Sequence, residues 1–148
     1  MGSTSTSATE RGPVAIVGAG LIGRAWAIVF ARAGHPVRLH DMDLQTMQNS
    51  HAYIEARLNE LAEFDLLNDS PSTVLERIIC VPDLADALRD VVLVQENVRE
   101  TVEAKIDIFS RMDALAPKNA ILASSTSWLP ASAFTEELPG RGRCVVAH

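Results

Sequence analysis

Three glycines spaced as Gly18-Ala19-Gly20-Leu21-Ile22-Gly23 can bring a polypeptide backbone against phosphate oxygens. Gly18 permits a tight turn, Gly20 keeps side chains out of the path of a pyrophosphate, and Gly23 lets the following helix lie close on the preceding strand. At the helix start the free N–H groups, those of Leu21 and Ile22 among them, then face the anion. Such a hexapeptide alone is weak evidence, because a glycine turn also serves packing. Here it follows an apolar strand, opens an apolar helix and is met by an acidic residue, Asp41, 18 residues past Gly23. A carboxylate at that position accepts hydrogen bonds from ribose hydroxyls and repels a 2′-phosphate, so NAD is favoured over NADP. Arg38 and His40 lie close by, and Arg38, expected on the face opposite Leu39, reads as solvated rather than phosphate-bound.

Three further positions carry polar groups to strand ends. Gln95-Glu96-Asn97-Val98-Arg99-Glu100 precedes a helix with Lys105 inside it. Glu100 and Lys105 read equally well as ligand contacts or as a solvated i,i+5 pair. In Ser124-Ser125-Thr126-Ser127-Trp128, the hydroxyls can hold a substrate oxygen or the nicotinamide amide. They can also cap the helix after Pro130, which is the more frequent use of such residues. His148 stands where a histidine can take a hydroxyl proton during hydride transfer. On spacing alone, the reading as an ordinary surface histidine like His35 or His51 prevails. No grouping of side chains is assigned to a metal.

The elements that must place these groups alternate. Apolar runs at Val14–Val17, Val37–Asp41, Ile78–Val81, Val91–Val94, Ala120–Ala123 and Cys144–Ala147 read as strands. Between them, Leu21–Ala33, stopped by Gly34 and Pro36, reads as helix, as do Leu44–Phe64, broken at Asn68–Ser72, and Thr101–Leu115. Short helical turns fit Asp83–Leu88 and Pro130–Phe134. The expected core positions are Met47, Ile54, Leu58 and Leu61 in the second long helix and Ile106, Ile108, Phe109, Met112 and Leu115 in the third. Alternation of this kind implies right-handed crossovers and a doubly wound, mainly parallel α/β sheet of Rossmann type, six or more strands with helices on both faces. Residues 13–148 complete such a domain, and nothing is left over for a substrate domain.

The bulk composition narrows the classes. With 148 residues, 47% hydrophobic and 22% charged, the chain is sized for one globular domain. A net charge of −6 gives no footprint for nucleic acid, and no apolar run spans a bilayer. Residues 1–12, rich in Ser and Thr, lack the apolar stretch of a secretory signal and are expected to be a flexible leader. Cys80 and Cys144 are expected to be free, buried thiols in a reducing, cytoplasmic setting.

Together these segments resemble the 3-hydroxyacyl-CoA dehydrogenase superfamily, which has members in fatty acid metabolism. The resemblance runs from Val14 to His148, on Val14-Ala-Ile-Val-Gly-Ala-Gly-Leu-Ile-Gly, Val94-Gln-Glu-Asn-Val-Arg-Glu, Ala123-Ser-Ser-Thr-Ser-Trp-Leu-Pro and Val146-Ala-His. It implies an NAD-dependent oxidoreductase in which Glu100 and Lys105 contact NAD, Ser127 contacts the substrate hydroxyl and His148 is the general base. Gly23-Arg-Ala-Trp-Ala and Val94-Gln-Glu are similar to the branch holding L-gulonate 3-dehydrogenase and lambda-crystallin. The serine-rich and Leu-Pro pieces are also similar to carnitine dehydrogenases. Asp43–Asp69 carries six acidic residues and one basic residue, Arg57, a surface that repels CoA phosphates. A small polar 3-hydroxy acid is therefore the expected substrate, with a short-chain 3-hydroxyacyl-CoA, or a non-catalytic crystallin-like role, as the alternatives. The family motif continues past the histidine, with a helical domain that orients the base and makes a homodimer. That domain is absent from this chain, which is expected to bind cofactor and to be inactive alone.

Overall fold

The computed structural model describes residues 11–148. Most of the expected leader, residues 1–10, lies outside the described residues. Gly12, its last residue, is held in place by a hydrogen bond from His35 Nδ1 to its carbonyl, 2.8 Å long.

Six strands form one sheet: β1 (Val14–Val17), β2 (Val37–His40), β3 (Ile78–Cys80), β4 (Leu93–Glu96), β5 (Ile121–Ser124) and β6 (Cys144–Val146). Their order is β3-β2-β1-β4-β5-β6 and every pairing is parallel. Strand side chains alternate between faces, so a strand covered on both sides must be apolar throughout. Val14–Val17 is such a run, buried at every position. Val14 and Ile16 pack with Leu39, Ala27, Ala31, Ile54 and Leu58 on one face. Ala15 and Val17 pack with Val94, Leu122, Ile108, Phe109 and Met112 on the other. The first layer comes from α1 (Leu21–Arg32), α2 (Leu44–Glu63) and α3 (Pro71–Glu76), the second from α4 (Leu84–Ala87), α5 (Val102–Leu115) and α6 (Ser132–Thr135). The doubly wound expectation is met. Because the winding reverses between β1 and β4, a crevice opens beyond their carboxyl ends.

Helix starts follow local chemistry. Asp43 caps α2 by accepting from Gln45 N, and Thr101 caps α5 by accepting from Ala104 N. Ser70 caps α3, with Pro71 at its first position. Helix α3 was not expected, since Asn68–Ser72 reads as a break, whereas its last two residues, Pro71 and Ser72, begin a new helix. β4 lies two residues later than the apolar run Val91–Val94 and ends on buried Gln95 and Glu96. Ile106 and Leu115, expected in the core, are 45% and 46% exposed, whereas Ile108, Phe109 and Met112 are buried. Cys80 and Cys144 are free but not buried, because β3 and β6 are the sheet's two edges. Among the described residues, no helix is long and apolar enough to cross a membrane.

Candidate functional site

The glycine turn occupies the crevice, and its three glycines answer to different neighbours. Gly18 has φ +94°, and a Cβ there would lie 2.8 Å from the Asn97 backbone. Its N–H donates to the His40 carbonyl, which ties the turn to β2. A Cβ on Gly23 would fall 1.8 Å from the Gly18 oxygen, so helix and turn meet only through glycine. A Cβ on Gly20 would meet nothing within 4 Å. The protein itself does not require glycine at that position. Gly20 provides no side-chain cap for α1, and the Leu21 and Ile22 N–H groups have no partner within the helix. The side chains of Leu21 and Ile22 are 66% and 54% exposed.

Asp41 follows β2 and braces the turn. Its Oδ2 accepts from Ala19 N at 2.7 Å and its Oδ1 from Asp43 N at 2.8 Å. A carboxylate accepts about four hydrogen bonds, so lone pairs remain. Beside it lies a cleft of about 420 Å³ walled by Gly20, His40, Met42, Thr46, Val98 and Arg99, among others. Arg38 points away, donating to the Asp86 and Arg89 carbonyls, so it stands clear of the cleft as expected but is bonded rather than merely solvated.

Beyond β4 the polar groups are more tightly organised than their spacing suggests. Glu96 is fully buried, with Oε1 and Oε2 at 2.9 and 3.1 Å from Lys105 Nζ. It also accepts from Val98 N and from Ser124 Oγ, each at 2.6 Å. Lys105 is 1% exposed and spends its third proton on the Val98 carbonyl. The solvated Glu100–Lys105 pair therefore does not form, and the Lys105 ammonium has no donor left for a ligand. Asn97 accepts from Ser125 Oγ at 2.7 Å and donates to the Gln95 carbonyl.

Glu100 instead gathers the loop after β5. Its carboxylate accepts from Thr126 Oγ1 and Ser127 N at 2.6 Å each, from Ser127 Oγ at 3.0 and 3.1 Å, and from Trp128 N at 3.3 Å. These donors, the Thr126 hydroxyl and the Ser127 amide foremost, pull its pKa down to about 2. The helix-capping use of the serines does not occur: α6 has no side-chain cap, and Thr126 Oγ1 accepts from Leu129 N in a turn ahead of it. His148 sits beyond β6 with Nδ1 3.2 Å from the Ser125 carbonyl. A carbonyl only accepts, so Nδ1 carries the proton and neutral His148 presents a bare Nε2 lone pair. The ring borders an apolar cleft of about 260 Å³ formed by Ile22, Ala25, Trp26, Val29 and Ser125. Ser127 and His148 thus flank the same strand end, Glu100 joins the first of them, and Lys105 stands behind. The spacing argument placed Glu96 and Ser124 in the polar clusters after the strands but gave neither a role; in fact they end β4 and β5 and meet in the buried network around Lys105.

Residues 13–148 match the family described as 3-hydroxyacyl-CoA dehydrogenase, NAD binding domain. The chain belongs to this family. It is 35% identical over 144 residues to the human lambda-crystallin homolog, covering 96% of this chain and 45% of that protein. It is 31% identical to an L-carnitine dehydrogenase of Streptomyces griseus, covering 98% of this chain and 46% of that one. The crystal structure of 3-hydroxybutyryl-CoA dehydrogenase from Escherichia coli superposes with a TM-score of 0.86 at 28% identity, over 93% of this chain and 29% of that one. The chain spans about half the length of the curated relatives it matches. As an NAD-binding domain it has the features the dinucleotide needs. Open space at Gly20 suits a pyrophosphate, and the spare lone pairs of Asp41 suit ribose hydroxyls.

Proposed function

We propose that the chain is the cofactor half of a dehydrogenase that oxidises a small polar 3-hydroxy acid to its 3-keto product. The observation that carries this reading is the Glu100–Ser127 clamp beside a histidine whose Nε2 is free. Gly18, Gly20 and Gly23, with the Leu21 and Ile22 amides, seat the pyrophosphate, and Asp41 takes the adenosine ribose. A bound nicotinamide would supply the hydride acceptor for C3. His148 removes the hydroxyl proton through Nε2, with its ring oriented by the Ser125 carbonyl. The Ser127 hydroxyl turns its one proton from Glu100 to the substrate oxygen and holds that oxygen as it becomes a carbonyl, while Glu100 keeps its bonds from Thr126 Oγ1 and Ser127 N and the substrate's own proton stays free for His148. Lys105 serves the site through Glu96 and the loop it steadies, in place of the direct contact the family resemblance implies.

The acidic stretch Asp43–Asp69 supports a small hydroxy acid over a CoA ester. The reading extends to a following helical domain that completes the substrate pocket and a homodimer contact, in a cytoplasmic enzyme. Its test is NADH formation by the complete protein from L-gulonate, L-carnitine and 3-hydroxybutyryl-CoA. Turnover is expected with a small hydroxy acid, and His148→Ala lowers it by about two to four orders of magnitude with NAD affinity nearly intact. Undiminished turnover in that variant removes His148 from the chemistry, and turnover of the CoA ester alone replaces the small substrate.

A further inference from the structure

We propose that His40 reads the adenine base of the dinucleotide, accepting a hydrogen bond from its exocyclic amine; this rests on the cleft beside Asp41 being the adenosine end of the NAD site. His40 ends β2 and is only 4% exposed. Its Nδ1 lies 3.0 Å from the Val81 carbonyl, so Nδ1 carries the proton and the neutral ring has an acceptor at Nε2. Among the described residues, that Nε2 is the one buried side-chain nitrogen or oxygen without a partner. Native proteins pair nearly all such atoms, and an orphan calls for an explanation. The neighbour in β2, Leu39, faces the α1–α2 core, and the alternation of the strand turns His40 to the opposite face.

There the histidine helps to wall the cleft of about 420 Å³, with Met42 on its own side and Val98 and Arg99 from the loop after β4. Met42 is 79% exposed, a flexible wall that can make way for an incoming base. What His40 lacks is a donor. Adenosine brings two kinds, ribose hydroxyls and the base amine. Asp41, at the rim, keeps lone pairs for the hydroxyls, which leaves the amine for the histidine behind it. Hypoxanthine and guanine carry a carbonyl at the same ring position, and acceptor against acceptor repels. His40 is therefore a base-selecting residue, where a glycine turn and an acidic residue select only phosphate and ribose.

The test is calorimetric titration of the 148-residue chain with NAD and with nicotinamide hypoxanthine dinucleotide. The wild type is expected to prefer NAD by about five- to tenfold, the size of one neutral hydrogen bond. His40→Phe should abolish the preference by weakening NAD alone. A preference that survives in His40→Phe, or none in the wild type, overturns the inference. An equal loss for both dinucleotides assigns the bond to ribose and overturns it too. Should His40→Phe fail to fold, nitrogen-15 NMR of the wild-type imidazole decides. Its Nε2 resonance must move with NAD and stay with the hypoxanthine form, and equal shifts refute the assignment. Failure of NAD itself to bind sinks the site reading, whereas NAD binding without base preference sinks only the role of His40.

Discussion

Lys105→Met removes one partner of an ion pair whose side chains are 2% and 0% exposed. Breaking a buried pair of this kind costs about 3–5 kcal/mol, because the remaining charge has neither water nor counterion. Glu96 keeps its bonds from Val98 N and Ser124 Oγ, which places the loss near ~3 kcal/mol, the lower end of that range. Set against a total stability of about 5–15 kcal/mol, the variant should still fold but melt at markedly lower urea, by about 1–2 M. The double variant Glu96→Gln/Lys105→Met supplies the control. A glutamine amide accepts from Val98 N with its oxygen and donates to Ser124 with its nitrogen, leaving no buried charge. It should recover more than half of the lost stability. Urea unfolding followed by circular dichroism reads all three proteins, and NAD titration reads their binding. A loss below about 1 kcal/mol together with a tenfold weaker NAD complex would refute the reasoning, since it would make Lys105 a ligand contact.

The glycines separate folding from binding. Gly23→Ala forces a methyl against the Gly18 oxygen and should lower both stability and NAD affinity, whereas Gly20→Ala, with open space around it, should keep stability within about 1 kcal/mol and weaken NAD at least tenfold. Thermal melts and titration of both variants check this, and equal melting losses would contradict it. Glu100 has its pKa lowered from 4.5 to about 2, so its clamp contributes fully above 4.5 and is lost as pH falls through about 2. Fluorescence of Trp128, 70% exposed and bonded to Glu100 through its amide, should report that loss in acid, and Glu100→Gln should remove the transition.

Much of this arrangement was legible in the residues. Alternating apolar runs gave the sheet, and Asp41 does meet the turn at Gly18–Gly23, through Ala19 N, at the cleft beyond β1 and β4. What escaped was polar burial. Gln95 and Glu96 read as a loop because they are polar, yet Gln95 donates to the Ala147 carbonyl and Glu96 meets Lys105, partners 52 and 9 residues away. Hydropathy equates the interior with apolar residues and so ended β4 too early. Ser70-Pro71, a good helix start, was hidden by its breaker-like neighbours. Ile106 and Leu115 lie at helical spacing from the core but fall at the margin of the buried stripe, which a linear pattern does not locate. His40 was visible only as a neighbour of Asp41, because an unpaired nitrogen has no signature in a sequence.

Glu100 stands two residues past Val98, a wall of the cleft beside Asp41, and it grips Ser127 across the strand end. One carboxylate thus makes two loops a single mechanical unit. Free energy that settles the first loop around a dinucleotide also settles the second, and reciprocity demands that the alcohol return the favour by an equal factor. Couplings of this kind amount to about 1–3 kcal/mol, or 5–150-fold in affinity. A protein that carries out the proposed oxidation on this domain should accordingly show positive heterotropic cooperativity between its two ligands.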